Sequence, residues 1–161
     1  MNKNYVYLAG PIEGCNDNEI NDWRIHVKEQ FLENIVGVTP VRLDYPVTKR
    51  SHYTHDLRKK EIFTKNFMDV QRCDATLAFL PKEINERRPS YGTIFEIAWA
   101  ASLNKPIFLV TDDQRLIDHP ATYSSVPWLY FYDFEKMDIM EERWVFDEAI
   151  DDINELLGIY K

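Results

Sequence analysis

The chain has 161 residues, 45% of them hydrophobic, and a formal net charge of −8. This length and composition predict a single globular domain over residues 1–161, with enough apolar material for a core. The acidic balance argues against a nucleic-acid binder and against a polybasic membrane anchor. Since neither a signal peptide nor an apolar run of about 20 residues is visible, we expect a soluble, cytoplasmic protein.

The residue pattern gives little support for metal or disulfide sites. The two cysteines, Cys15 and Cys73, form no Cys-x-x-Cys motif. His52 and His55 lie three apart beside Asp56, a spacing that could present two imidazoles to a metal, but a solvated loop is the simpler interpretation. We therefore expect neither a metal nor another cofactor.

Short apolar runs alternate along the chain with longer amphipathic stretches. The first run, Tyr5–Ala9, predicts a strand that ends at Gly10-Pro11. Apolar residues spaced three and four apart predict the helices, and compact apolar runs predict the strands. The further predicted elements are a helix from Asn18 to about Asn34, a strand at Val36–Val41, a loop at 42–56, a helix at Leu57–Cys73, a strand at Ala75–Leu80, a helix from Gly92 to Leu103, strands at Pro106–Val110 and Trp128–Tyr132, and a helix at Met140–Leu157.

This alternation predicts βαβ units and an α/β fold. We expect a flavodoxin-like, doubly wound sheet of about five mainly parallel strands with helices on both faces. Ligands of such sheets bind at the carboxyl ends of the strands. That rule points to Gly10–Gly14, to the 42–56 loop and to the segment after Leu80. The glycines match neither a dinucleotide-binding motif nor a P-loop.

Glu96 is the residue that a purely structural interpretation explains least well. It lies within Gly92–Ala101, where nearly every neighbour is apolar. A helix that is apolar all round is normally buried, and burying an unpaired carboxylate costs several kcal/mol. The helix dipole would help to keep the carboxylate ionised, and an ionised carboxylate in a dry pocket can act as a nucleophile. A carboxylate paired inside the fold is the alternative.

Two further residues are candidates for the same chemistry. Asp69 lies near the carboxyl end of a predicted helix, where the dipole disfavours negative charge and so favours a proton donor. The alternative is a solvated helix face. Tyr7 lies on the first strand, on the same face as Tyr5, and a buried tyrosine hydroxyl there needs a partner.

Several blocks of the sequence, in this order and spacing, resemble the nucleoside 2-deoxyribosyltransferase family. Any one block would be weak evidence, but together they extend from residue 5 to about residue 110. The blocks are Tyr7-Leu8-Ala9-Gly10-Pro11, then Asp69 and Asp74 before an apolar strand, then Pro89-Ser90-Tyr91-Gly92-Thr93-Ile94-Phe95-Glu96-Ile97-Ala98, and then Asn104-Lys105-Pro106.

The resemblance implies an enzyme that cleaves the N-glycosidic bond of 2'-deoxynucleosides and transfers the sugar to another nucleobase. It implies that Glu96 attacks C1' to form a covalent deoxyribosyl-enzyme, that Tyr7 holds this nucleophile and that Asp69 protonates the departing base. The partners it implies are small-molecule nucleosides or nucleotides, free nucleobases and further copies of the chain in a homo-oligomer. It also implies a set of substrate-binding residues, which we assign to Gly10, Pro11, Ser90, Gly92 and Asp44.

Ser90 departs from the family pattern, which commonly has an acidic residue six positions before the nucleophile. A related branch, the 2'-deoxynucleoside 5'-phosphate N-hydrolases, has a serine in a Pro-Ser-x-Gly block that contacts the 5'-phosphate. The first alternative is therefore a nucleoside 5'-monophosphate N-glycosidase, for which Arg87 and Arg88 could supply positive charge. Glu13, where such hydrolases usually have a basic residue, argues against it.

The second alternative, a catalytically silent nucleotide-binding module, remains open because fold does not establish function. The many C-terminal aromatic residues are compatible either with an oligomer interface or with core.

Overall fold

We describe the protein from a computed structural model, in which residues 3–41, 56–132 and 144–158 are described. The side chains of residues 56–59 and 144 are not described. The 42–56 loop therefore lies almost entirely outside the described residues, as do His52, His55 and Asp44. None of the helices in the described part is long and apolar enough to cross a membrane.

Five parallel strands form one sheet with the order β2-β1-β3-β4-β5. This order confirms the predicted flavodoxin-like sheet. The chain crosses from β1 to β2 in one direction and returns to build β3, β4 and β5 in the other, so the switch point lies between β1 and β3. The strands are β1 Asn4–Ala9, β2 Ile35–Val38, β3 Ala75–Leu80, β4 Ile107–Thr111 and β5 Trp128–Phe131.

Helices cover both faces of the sheet. The described helices are α1 Asp17–Gln30, α2 Asp56–Arg72, α3 Lys82–Arg87, α4 Tyr91–Ser102, α5 Gln114–Ile117, α6 Pro120–Ser125 and α7 Asp147–Gly158, with a 3₁₀ turn at Trp144–Phe146. One apolar cluster packs α1 and α7 against the sheet, and a second packs α2 and α4 against its other face. Because side chains alternate along a strand, β1 sends Val6 and Leu8 to the first cluster and Tyr7 to the second.

Three short helices, α3, α5 and α6, were not predicted from the sequence. None of them has a buried residue, so they carry no apolar periodicity that could reveal them. For two of them the sequence contains a local signal, a residue that caps the amino end of the helix. Asp113 accepts a hydrogen bond from the Arg115 amide at 3.1 Å, and His119 accepts one from the Ala121 amide at 3.2 Å, just before Pro120.

Several element boundaries also differ from prediction. The edge strand β2 ends at Val38, because Pro40 lacks the N–H group that would continue the ladder. Helix α1 starts behind a capping box in which Asn16 and Glu19 bond each other's backbone amides, and it ends at Gln30 instead of near Asn34. Of the helix predicted at Met140–Leu157, residues 140–143 lie outside the described residues, residues 144–146 form the 3₁₀ turn, and helix α7 begins at Asp147.

The C-terminal aromatic residues that the structure describes belong largely to the core. Tyr130 and Phe146 are buried in the α1–α7 cluster, and Trp128 and Tyr132 pack against it. Asp74 lies just before β3, at the amino ends of the strands. Its carboxylate accepts a hydrogen bond from the Tyr5 amide, and its own amide donates to the Tyr5 carbonyl, so it joins β1 to β3. Neither observation leaves these groups available for a site at the switch point.

The two predicted binding glycines allow a matched test of packing. A Cβ atom on Gly10 would lie 2.6 Å from Trp23 Cζ2, whereas one on Gly92 would meet nothing within 4 Å. We expect Gly10→Ala to lower the free energy of unfolding by about 1–3 kcal/mol through overpacking. Gly92→Ala should raise it by about 0.5–1 kcal/mol because alanine is the better helix residue. Urea unfolding measures both, and equal effects would contradict the packing described here.

Candidate active site

A buried carboxylate lies at the centre of the candidate site. Glu96, on the second turn of α4, is only 4% exposed. Its Oε1 accepts a hydrogen bond from the Tyr7 hydroxyl at 2.8 Å and another from Asn66 Nδ2 at 3.0 Å. Strand β1, helix α2 and helix α4 thus each contribute one side chain to this hydrogen-bonded group.

Burial controls the protonation of Glu96. Loss of hydration raises the pKa of Glu96 from 4.5 to about 7, although hydrogen bonds from Tyr7 and Asn66 and the positive charges of Arg24 and Lys65 act in the opposite direction. From the sequence, the helix dipole was expected to keep this carboxylate ionised. Desolvation outweighs the stabilising contacts, so near neutral pH the group is poised between its two states.

The second carboxylate oxygen of Glu96 has different surroundings. Among the described residues no donor bonds Oε2, and Oε2 is not one of the fully enclosed polar atoms that lack a partner. Oε2 therefore keeps some contact with solvent. One oxygen is held by two donors, whereas the other has no donor among the described residues and keeps some contact with solvent, as a carboxylate nucleophile requires.

At neutral pH the Tyr7 hydroxyl acts toward Glu96 as a hydrogen-bond donor only. Burial, together with the charge of Glu96 and the hydrogen bond to it, raises the pKa of Tyr7 far above its usual value of 10. The phenol therefore remains protonated over the physiological range. A permanent donor favours the ionised form of its acceptor and fixes the rotamer of the Glu96 side chain.

Asp69 lies near this pair but has a partner of its own. Its charge contributes to the raised pKa of Tyr7, and its carboxylate forms an ion pair with Lys65 one turn earlier on α2. The side chain is mostly buried, which contradicts the solvated helix face considered above. The structure therefore places Asp69 beside the Tyr7–Glu96 pair as one half of a Lys65–Asp69 pair.

Two polar groups of this region, Asn66 and Arg24, were not predicted from the sequence. Arg24 is buried and donates from Nε to the Leu8 carbonyl at 3.2 Å and from Nη2 to the Gly10 carbonyl at 3.0 Å. It thereby fixes the carboxyl end of β1. The available signals were an arginine one turn after Ile20 on an apolar stripe, and an asparagine three residues before Asp69.

The amino end of α4 carries two of the predicted binding residues. The Ser90 hydroxyl lies 2.7 Å from that of Thr93, which is buried, and the Ser90 amide donates to Asn85 Oδ1 at 3.1 Å. Gly92 is exposed, with open space where a Cβ would lie. Small residues thus keep this end of the helix accessible.

The two arginines before Ser90 are both paired with acidic residues. Arg87 forms an ion pair with Glu19 at 2.9 Å, and Arg88 forms one with Glu13 in the loop after β1. These exposed contacts are of the kind that contributes little to stability, about 0–1 kcal/mol. They nevertheless place a negative charge beside each guanidinium. Gly10 and Pro11 are buried at the start of the same loop.

The raised pKa of Glu96 predicts a measurable stability effect. The folded chain holds this proton more tightly than an unfolded chain does, so stability should fall as pH rises from about 4.5 to 7. Glu96→Gln keeps an oxygen that accepts from Tyr7 and Asn66 but removes the charge. We expect this variant to exceed the wild type by about 2–3 kcal/mol at pH 8, with a smaller difference at pH 5.

Urea unfolding at both pH values measures the effect, with Glu29→Gln on the exposed side of α1 as the matched control. If both variants follow the wild-type dependence on pH, the Glu96 carboxylate is not desolvated as described.

Comparisons with known proteins agree with this fold. The chain matches the model of a family described as nucleoside 2-deoxyribosyltransferase over residues 6–154. By sequence alone, no curated protein matches it significantly. A solved structure of a 2-deoxyribosyltransferase from the psychrotolerant bacterium Bacillus psychrosaccharolyticus is similar with a TM-score of 0.58 and 16% identity, over 84% of this chain and 93% of that one. At that identity the likeness shows the fold alone. The family model covers nearly the whole chain, which therefore belongs to the nucleoside 2-deoxyribosyltransferase family.

Proposed function

We propose that this chain is a nucleoside 2-deoxyribosyltransferase that uses Glu96 as its nucleophile. The observation that carries the proposal is the unequal treatment of the two Glu96 oxygens. Oε1 is held by Tyr7 and Asn66, whereas Oε2 has no donor among the described residues. Membership of the family supports the reaction class, and the position at the switch point of the sheet agrees with where such folds bind ligands.

In the first half-reaction, Glu96 Oε2 attacks C1' of a 2'-deoxynucleoside. The C1'–N bond breaks, its electron pair passes to the departing base, and a proton from the Lys65–Asp69 pair neutralises that base. The transition state resembles an oxocarbenium ion, so a carboxylate beside C1' and an acid at the base lower the barrier together. Asp69 accepts from Lys65. We therefore assign the acid to the pair and not to Asp69 alone.

In the second half-reaction, a ring nitrogen of an incoming nucleobase attacks C1' of the deoxyribosyl-Glu96 ester. The C1'–O bond breaks, Glu96 regains its charge, and the proton of the incoming nitrogen returns to the Lys65–Asp69 pair. The protein thus ends in its starting state. Gly10, Pro11, Ser90 and Gly92 border the same end of the sheet, and we propose that they contact the substrate.

The decisive experiment supplies deoxyinosine with and without free adenine and separates the products by chromatography. We expect deoxyadenosine to form only when adenine is present. Glu96→Gln should reduce the rate by about 10⁴-fold or more because the nucleophile is gone. Quenching with deoxyinosine alone should trap a deoxyribosyl adduct on the wild type, visible by intact mass spectrometry. A variant that folds and still turns over would refute the role of Glu96.

Tyr7→Phe provides a second test through the pH profile. The Tyr7 hydrogen bond lowers the pKa of Glu96 towards about 7, so its loss should raise that pKa. We expect the acid limb of kcat/KM to move to higher pH by about 1–2 pH units, the value of one hydrogen bond to a charged group. Tyr5→Phe, on the same face of β1 but outside the site, is the matched control. A uniform loss of activity with an unmoved limb would indicate a merely structural role.

The first alternative, hydrolysis of 2'-deoxynucleoside 5'-monophosphates, draws support from Ser90 and the open amino end of α4. Hydroxyls and backbone N–H groups there are able to bind a phosphate. The acidic partners of Arg87 and Arg88 oppose it, because Glu19 and Glu13 would repel the same phosphate. Release of hypoxanthine from deoxyinosine 5'-monophosphate alone, indifferent to adenine, would establish this alternative. No turnover of either substrate would favour the nucleotide-binding module.

A further inference from the structure

A buried arginine lies on the face of the sheet opposite to α2 and α4. Arg24 belongs to α1, which packs with α7 against that face, and Arg24 is only 2% exposed. The other buried residues of the helix, Ile20, Trp23 and Val27, carry no charge. Arginine is almost never fully buried unless its charge or its donors have partners. Its place on this stripe therefore needs an explanation beyond packing.

The guanidinium of Arg24 binds the backbone at the carboxyl end of β1. Besides the bonds to the Leu8 and Gly10 carbonyls, its Nη1 donates to the Ile20 carbonyl one turn earlier on α1. Its central carbon lies 4.4 Å from the centroid of the Trp23 ring. These partners are three carbonyls and a ring, and none of them carries a charge. The contacts engage the N–H donors of the arginine, but they do not cancel its positive charge.

Trp23 holds the arginine in place. Its ring stacks on Phe146, with 5.5 Å between centroids and 11° between planes, and packs against Phe79 at 5.4 Å. A Cβ placed on Gly10 would lie 2.6 Å from Trp23 Cζ2 and 3.1 Å from Arg24 Nη2. The indole and the guanidinium therefore both reach the Gly10 backbone, which only glycine allows. Through these contacts α1 fixes the end of β1 from the core.

The charge of Arg24 also acts across the sheet. Burial raises the pKa of Tyr7 and of Glu96, and the positive charge of Arg24 opposes that rise in both. Helix α4 has no charged residue besides Glu96, and on α2 the nearby charges are those of Lys65 and Asp69, which pair with each other. Arg24 opposes the rise in the pKa of Glu96 more strongly than Lys65 does. It is therefore the main positive charge that acts on this carboxylate.

We propose that Arg24 is a positioning residue for the reaction, which fixes the backbone next to Tyr7 and supplies a permanent positive charge to Glu96 from the α1 side. This role rests on the function proposed above. The Glu96 carboxylate becomes a neutral ester when it bonds to C1', and it is ionised again when the C1'–O bond breaks. A guanidinium stays charged throughout. It favours the carboxylate over the ester, so it limits accumulation of the ester and makes Glu96 a better leaving group in the second half-reaction.

Two substitutions separate the charge of Arg24 from its hydrogen bonds. Arg24→Gln removes the charge and keeps N–H donors, whereas Arg24→Lys keeps the charge and loses the planar fork. NMR titration of the Glu96 carboxyl carbon, without substrate, measures its pKa. A charge about 10 Å away, at an effective dielectric constant of about 20, changes a pKa by about 1. We expect the pKa of Glu96 to rise by about that amount in Arg24→Gln and to stay near the wild-type value in Arg24→Lys. Lys28→Gln, which removes an exposed charge one turn later on α1, is the matched control and should leave it unchanged.

The covalent intermediate provides a second readout. At pH 9, where Glu96 is ionised in both proteins, intact mass spectrometry measures the fraction of deoxyribosyl-enzyme at a fixed ratio of deoxyinosine to hypoxanthine. Arg24→Gln should raise the ratio of modified to free enzyme by about 10-fold, which is the same change in pKa expressed as an equilibrium constant. Lys28→Gln should match the wild type.

A folded Arg24→Gln variant with an unchanged pKa for Glu96 would overturn the proposal. So would an Arg24→Lys variant that raises this pKa equally, because the hydrogen bonds alone would then account for the effect. If Arg24→Gln does not fold, Arg24→Met, which continues the apolar stripe of α1, takes its place as the neutral variant. The titration does not depend on turnover. A wild type that forms no deoxyribosyl-enzyme, while the pKa of Glu96 responds as expected, would refute the proposed reaction and leave the electrostatic role of Arg24 supported.

Discussion

The hydrogen bond from Tyr7 to Glu96 is the interaction on which the rest of the candidate site depends. A carboxylate with 4% exposure cannot ionise freely, and burial raises the pKa of Glu96 to about 7. Tyr7 and Asn66 both donate to the same oxygen and prevent a larger rise. Desolvation therefore favours the protonated form of the carboxylate, and the two donors offset part of that effect near neutral pH. The fold is less stable with this group ionised, a cost that active sites commonly carry.

The topology of the sheet explains why these groups meet. β1 and β3 flank the switch point, where the crossovers leave in opposite directions and open a crevice at the strand carboxyl ends. Arg24 reinforces this edge from the α1 side by bonding the Leu8 and Gly10 carbonyls, which leave the ladder as β1 ends. Backbone carbonyls buried without partners would be costly. The buried guanidinium of Arg24 thus donates the hydrogen bonds that water would otherwise supply to these carbonyls, where β1 ends and the loop begins.

Helices α2 and α4 have two roles on opposite sides. Their inner sides bring Asn66, Asp69 and Glu96 to β1, and their outer sides leave Phe63, Tyr91 and Phe95 exposed. The α4 segment is therefore apolar almost throughout and yet contains one carboxylate, which is buried on its inner side.

The sequence by itself determined the alternation of strands and helices and the parallel sheet, and it marked Glu96 as a candidate, because apolar periodicity and an isolated carboxylate are local signals. It also indicated Tyr7, through the two-residue period of β1. Only the tertiary structure showed that Asn66 and Arg24 join this region, since their partners lie 30 and 14–16 residues away along the chain. It likewise decided that Tyr130 and Phe146 belong to the core. Contacts of this kind depend on how the helices and strands pack against one another, and no single segment of the sequence determines that packing.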